Sequence, residues 1–423
     1  MANTFDLAYG NSSLKLVLPD YVDPLVLRPR EIPGLAHPTE AVAEALASPS
    51  GTPPLLEMLR ARKPKRVTIV VNDETRPTPY EVLFPPLLEV FAQAGISDEQ
   101  VTFVIATGIH PAHSDELNAR IYGSHMTKRF RFVNHVSTDT SQLVDLGTTS
   151  SGYPCFINRL ALETDFLLTI GVVMPHYFAG FSGGRKSILP GLAGHKTVAS
   201  NHARMVELLD ALPPVRENPV SLEMIEVARK VGVDFILNTV TNPRKELVKV
   251  VAGDLEKAWY EAVDVSASIY EVPFDEPVDI AITTACGYPR DVNVYQAQKA
   301  LDHADHITKP GGSIIWLAEC PAGFGEDVFE KWLRLHLSPQ EVMRRIRSEF
   351  ELGGHKAYAI AKVAVEKDVA LISEMSASDT SLLFAHKAAS LDEAVTAALA
   401  KHGPSARVAV LPDGCLTLPV PRS

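Results

Sequence analysis

The sequence predicts an α/β protein of two Rossmann-like domains with the active site in the cleft between them. Three observations carry this. Short β-branched runs alternate with stretches of helical apolar spacing. Polar loops broken by Gly and Pro follow several of those runs. The length, 423 residues, exceeds the usual span of one domain and fits two or three.

The elements follow in order. Residues 14–18 alternate like a strand, and Pro- and Arg-rich turns run to about residue 40. Residues 65–71 (KRVTIVV) read as a buried parallel strand, followed by the polar loop 72–79 (NDETRPTP). Residues 80–94 have helical spacing, and 101–106 (VTFVIA) form another strand, followed by TGIHPAH. Residues 165–173 (DFLLTIGVV) repeat the pattern and lead into a Gly-rich loop. Prolines 273 and 277 mark a linker, which sets the expected domains at 1–270 and 271–423. Beyond it, strands are expected at 278–284, 312–318, 367–373 and 406–411, with helices at 293–305 and 339–349. Ligands of open parallel sheets bind beyond the carboxyl ends of strands, so the three polar loops can converge on one site.

Composition bounds the function. Hydrophobic residues make up 46% and charged residues 22%, which describes a chain that buries a core. The net charge of −11 argues against a general nucleic-acid partner, though not against a small anion in a locally basic pocket. Four cysteines, Cys155, Cys286, Cys320 and Cys415, lie far apart without a CxxC pair, so zinc knuckles, dithiol motifs and disulfide frameworks are not expected. No leader and no membrane-length apolar run is apparent, and a cytoplasmic protein without membrane partners is expected.

The chemistry concentrates in residues 165–202, which hold His176, Lys186 and His202 among Gly180, Gly183, Gly184 and Gly191. Glycines allow positive φ and close approach of backbone to ligand. GFSGGRKS invites comparison with a phosphate loop, but Arg185 stands where that motif needs its second glycine. His176 and His202 are too far apart for a helical HxxxH metal pair. Asp73 and Arg76 can cap a helix or pair with each other, and His110 and His113 can be surface loop residues. On residue types alone, a cleft-binding α/β protein remains, with Lys186 open to several uses, a Schiff base with a pyridoxal cofactor among them.

Taken together, NDETRPTP, ATGIHPAH, GVVMPHYFAGFSGGRKSILPG, ASNH and VYQAQK resemble, in this order, the lactate racemase catalytic subunit family of nickel-pincer-nucleotide enzymes. The resemblance spans nearly the whole chain. It implies a racemase or epimerase of 2-hydroxy acids that works by reversible hydride transfer through a 2-keto acid. It also implies a cofactor, pyridinium-3-thioamide-5-thiocarboxylic acid mononucleotide with nickel, attached through Lys186 and supplied by cofactor-biosynthesis enzymes. His202 matches the nickel ligand, and His110 and His176 match the acid/base pair. Asp73, Arg76, Gly183, Gly184 and Tyr295 match cofactor-side positions, while Arg76, Gln296 and Lys299 match positions for the substrate carboxylate. The segment 353–358 (GGHKAY) has no tryptophan of the kind associated with the lactate-specific enzyme, which leaves the particular hydroxy acid open.

The chemistry agrees with this resemblance. A Cα hydrogen of a 2-hydroxy acid is too weakly acidic for a neutral histidine, so a cofactor must carry that step. Histidine can take and return the hydroxyl proton near neutral pH, and inversion requires one such group per face. A non-catalytic nickel or nucleotide carrier is the alternative. It would need Lys186 and His202 but not both acid/base histidines.

Overall fold

The structure, a computed structural model, describes residues 3–208 and 212–422. The chain forms two compact units, one of residues 1–30 with 268–423 and the other of residues 31–267. The chain starts in the first of these with an antiparallel hairpin, β1 (Asn3–Tyr9) and β2 (Ser12–Leu18), and then a short strand, β3 (Leu25–Val26).

The inserted unit, 31–267, is built on a six-stranded sheet. It contains β4 (Val67–Asn72), β5 (Val101–Ala106) and β6 (Arg131–Asn134). A hairpin of β7 (Leu143–Thr148) and β8 (Pro154–Asn158) intervenes before β9 (Phe166–Val172). A two-residue ladder, β10 (Pro175–His176) with β11 (Gly180–Phe181), precedes β12 (Phe235–Thr241) and β13 (Leu247–Gly253). The strand order is β13-β12-β9-β4-β5-β6, parallel except for the β12–β13 pair. From β4 the chain winds outward through β5 to β6, then returns to the other side with β9. The order therefore reverses beside β4. β9 reads FLLTIGV and is buried at every position, as expected for a strand covered on both faces. Helix α1 (Tyr80–Ala94) packs Tyr80, Leu83, Phe84, Leu87 and Phe91 into the same core as Ile69, Phe103 and Leu168. Helices α2 (His195–Ala203) and α3 (Pro219–Val231) follow the Gly-rich loop.

The other unit resumes with β14 (Glu271–Phe274) and a second six-stranded sheet. Its strands are β15 (Val278–Thr284), β16 (Thr308–Leu317), β17 (Asp368–Ile372), β18 (His386–Lys387) and β19 (Val408–Leu411), and β20 (Leu418–Pro421) pairs with β14. The order β18-β17-β16-β15-β19-β3 is parallel throughout, and it reverses between β15 and β19. Helix α4 (Val294–Ile307) follows β15, and α5 (Gly354–Glu366) precedes β17. Leu7, Leu16, Ile280, Ile282, Ile315 and Val410 share its core.

That membership corrects the expected boundary. Residues 1–30 do not belong with 31–267: β3 is the edge partner of β19, and Leu7 and Leu16 of the first hairpin pack beneath β15. The signal was weak because β3 is only two residues long and both are exposed. No helix among the described residues is long and apolar enough to cross a membrane.

Candidate functional site

Three loops leave the carboxyl ends of the adjacent strands β9, β4 and β5, where the order of the sheet reverses. This is the ligand crevice of a doubly wound sheet. Asp73 directly follows β4 and is buried. Its Oδ1 accepts hydrogen bonds from Thr75 Oγ1 at 2.6 Å and Thr75 N–H at 3.1 Å. Its Oδ2 lies 2.6 Å from His110 Nδ1, in the loop after β5. Burial works against the carboxylate, but hydrogen bonds from His110 and Thr75 and the charges of His110 and Arg76 hold Asp73 below its ordinary range. The pairing leaves His110 Nε2 as the ring nitrogen offered outward.

Arg76 turns back over the same loop. Its guanidinium donates to the Thr75 carbonyl at 3.0 Å, and burial lowers its affinity for its proton while the neighbouring Asp73 and Tyr177 raise it. Tyr177 in turn stacks on His176, with ring centroids 5.2 Å apart and planes 19° from parallel. His176 sits on β10, whose register with β11 places it opposite Gly180. The Ala179 N–H reaches His176 Nδ1 at 3.5 Å.

Phe178 gathers the rest. Its ring meets His176 edge to face at 4.6 Å and His202 at 4.9 Å, and Lys186 Nζ lies 5.4 Å from its centroid. His202 lies in the last turn of α2 and is buried. Burial, then the charge of Lys186, pushes His202 down to about 3, so the imidazole is neutral. Its buried Nδ1 makes no well-formed hydrogen bond, although the Val198 carbonyl one turn back faces the ring. α2 is pinned to α3 by Asn201, which donates to Glu223 at 2.8 Å.

The loop that carries Lys186 is held from inside. Arg185 is fully buried, stacks 3.7 Å from the Trp259 ring centroid, and donates to the carbonyls of Phe181 and Ala179, each at 2.8 Å, and to Ser221 Oγ at 2.9 Å. It therefore faces the loop rather than an anionic ligand. Gly183 and Gly184 are likewise held from within the chain. Both are buried at positive φ, 74° and 50°, and the Gly184 N–H is already bonded to Asn238 Oδ1 at 2.8 Å. A Cβ at Gly183 would fall 2.6 Å from Val173, and one at Gly184 would fall 2.8 Å from Trp259. These glycines seat the loop against β9, β12 and Trp259. His113 is likewise a loop pin: it is buried, accepts the Glu74 N–H at 3.4 Å and bonds Asn118 at 3.2 Å.

Thus Asp73, His110, Arg76, His176, Lys186 and His202 form one contiguous set within residues 31–267. Among the described residues no group of three or more His, Cys, Asp or Glu could hold a metal, so His202 stands as a single donor. Residues 9–210 match the lactate racemase N-terminal domain and residues 274–418 the lactate racemase C-terminal domain. The chain is 33% identical over 421 residues to the lactate racemase of Lactiplantibacillus plantarum, an alignment covering 97% of this chain and 98% of that one. It is 34% identical over 424 residues to the lactate racemase of Thermoanaerobacterium thermosaccharolyticum, covering 98% of each.

The chain belongs to the lactate racemase family.

Its fold agrees. The lactate racemase apoprotein from Thermoanaerobacterium thermosaccharolyticum superposes with a TM-score of 0.90 at 31% identity, over 99% of this chain and 100% of that one. A Thermotoga maritima protein shares the fold at a TM-score of 0.63 and 18% identity, over 91% of this chain and 97% of that one. The family relationship makes the chain a racemase, an isomerase.

The remaining predicted residues of this family member lie on α4 in the other unit. Gln296 is exposed, whereas Tyr295 and Lys299 are partly buried. Burial, then the nearby Glu326, pushes the Tyr295 phenol up to about 12. Lys356, on α5, was not singled out from sequence. It is buried, donates to Gln298 at 2.8 Å and lies 5.4 Å from the Tyr295 ring centroid. Burial and the charge of Lys299 pull it down to about 7. Phe178 and Tyr177 were missed as well, although their place beside His176 in PHYF was the available signal.

Proposed function

We propose that this chain interconverts the enantiomers of a small 2-hydroxy acid, with lactate, the acid in its relatives' name, as the first candidate, on a nickel-pincer nucleotide tethered through Lys186. The observation that carries the reading is the continuous chain of contacts from Asp73–His110 through Arg76, Tyr177, His176 and Phe178 to Lys186 and His202. The residues fit such a group. His202 offers a buried neutral imidazole, suited to nickel. Lys186 lies close enough for its charge to act on that ring, and the group would supply its own sulfur donors.

When bound, the nucleotide would supply the electrophilic centre that accepts and returns the Cα hydride. The chain's own residues manage the proton and the carboxylate. His110, with Nδ1 committed to Asp73, takes the hydroxyl proton at Nε2. His176, with Nδ1 facing the Ala179 N–H, carries its proton on Nε2 and returns one to the carbonyl oxygen on the other face. The opposite enantiomer begins from the opposite protonation state of the pair. Arg76 binds the carboxylate through its planar fork of donors.

The test uses protein co-expressed with the enzymes that build the cofactor. Single-enantiomer 2-hydroxy acids deuterated at Cα should racemise with the label retained at carbon. Complete loss of label to solvent overturns hydride return, and no racemisation across lactate, malate, longer aliphatic, aryl and sugar acids overturns the activity. Intact mass should show a covalent adduct that Lys186→Ala abolishes.

A further inference from the structure

The four cysteines look unrelated in sequence, yet the fold brings three of them to neighbouring places. β16, β15 and β19 are adjacent parallel strands, and Cys320, Cys286 and Cys415 each lie beyond the carboxyl end of one of them. Cys286 and Cys415 flank the point where the order of this sheet reverses, between β15 and β19. The turn before Cys415 is pressed onto β15: a Cβ at Gly414 would collide with Thr283 Oγ1 and the Thr284 carbonyl. Cys286 is held at a positive φ of 68°, with its N–H bonded to Thr284 Oγ1 at 3.2 Å. The Cys286 thiol donates to the Thr284 carbonyl at 3.9 Å, the same carbonyl that Gly414, the residue before Cys415, presses against.

We propose that Cys286 and Cys415 are an oxidisable thiol pair, closed to a disulfide by hydrogen peroxide or an organic hydroperoxide.

The surroundings assign the roles. The neighbouring Cys286 holds the Cys415 thiol below its ordinary range against burial, with help from the charges of Lys299 and Arg290. Cys415 and burial hold Cys286 well above. Cys415 is therefore the more acidic thiol of the two and the attacking one once it has lost its proton. The Cys415 thiolate attacks a peroxide oxygen; an S–O bond forms, the O–O bond breaks, and hydroxide leaves with the Cys415 sulfur as sulfenic acid. Cys286 sulfur then attacks that sulfur. The S–S bond forms as S–O breaks, and the Cys286 proton leaves with the oxygen as water. Two thiols and one hydrogen peroxide become one disulfide and two waters.

The other cysteines provide internal controls. Cys320 is buried, and burial, then the charge of Asp291, pushes its thiol far up. Cys155 lies in the other unit and is raised by burial. The positive charges of Lys299 and Arg290 favour a thiolate and disfavour a bound cation, so oxidation is the chemistry that fits here.

The test needs neither cofactor nor substrate, so its failure is separate from failure of the racemase reading. The full-length protein is treated with a stoichiometric series of hydrogen peroxide, its free thiols are alkylated, and peptides are mapped without reduction. The expected result is a peptide joining Cys286 to Cys415, lighter by two hydrogen atoms and restored by dithiothreitol, with Cys155 and Cys320 still alkylated. Cys286→Ser should instead accumulate a sulfenic acid on Cys415, trapped by dimedone, while Cys155→Ser should leave the cross-link unchanged. Oxidation of Cys320 or Cys155 first, or four thiols still alkylatable after peroxide, overturns the proposal. If Cys286→Ser does not fold, the wild-type peptide map decides alone.

Discussion

Asp73 and His110 are locked together: a buried carboxylate oxygen stands 2.6 Å from the Nδ1 of an imidazole that is itself half exposed. The buried partner holds the exposed one in a fixed orientation.

Asp73→Asn should therefore lower racemase turnover by about 10²–10⁴-fold, the range a positioned acid/base group supplies, with a smaller change in KM. A second readout needs no cofactor. In the apoprotein, ¹⁵N NMR should show wild-type His110 protonated on Nδ1, and the variant should lose that preference. Turnover within a few-fold of wild type, with the tautomer unchanged, would remove Asp73 from this role.

Buried imidazoles set an acid limit to stability. His135 is fully buried, donates from Nε2 to the Ala193 carbonyl at 3.0 Å and accepts from Asn158 at 3.1 Å, and burial pulls it from 6.5 to about 4. The unfolded chain takes up this proton first as pH falls. The stabilisation is complete above about pH 6.5 and is lost progressively down to about pH 4, an effect of order 3 kcal/mol. His303, also pulled down to about 4, acts in the same direction in the other unit. Urea titrations across this window should show His135→Gln with a shallower slope than wild type, and an equal slope would refute the assignment.

Arg185 has loop carbonyls, a serine and an indole face for company, with no ion pair among its described contacts. Arg185→Met should cost about 2–4 kcal/mol by leaving those buried carbonyls unpaired. Arg185→Lys should recover little, because a single ammonium cannot reproduce the planar fork. The denaturant midpoint measures both. A shift below about 0.5 kcal/mol would mean that the loop holds itself.

His202→Ala should abolish retained nickel in protein purified from cofactor-producing cells, as read by elemental analysis, while loss of the edge-to-face contact with Phe178 costs the fold about 0.5–1.5 kcal/mol. Nickel at one equivalent in the variant would place the metal on another donor.

Much of this was legible beforehand. The strand at 101–106 and the helix at 80–94 appear with the expected ends, since each carries an uninterrupted apolar period. The convergence of loops after β4, β5 and β9 was also readable, because parallel winding puts their carboxyl ends on one edge. Partnerships were not. Nothing in the sequence pairs Asp73 with His110, and the lowering of Lys356 depends on its burial and on Lys299 from another helix. GGRK read as a ligand cradle because glycines and an arginine serve close approach inside a chain as readily as outside it. The packing against Trp259 and Asn238 could not be read from the sequence.

The interleaved order of the two units bears on how the protein is made. A ribosome releases β3 early and β19 almost a full chain length later, yet the two are neighbours in one sheet. The segment 31–267 has all its strands in hand well before synthesis ends. The other sheet must hold its amino-terminal piece in waiting, and its edge closes only when the last residues emerge. Deleting the first thirty residues would thus strip the final strand from the sheet that forms last.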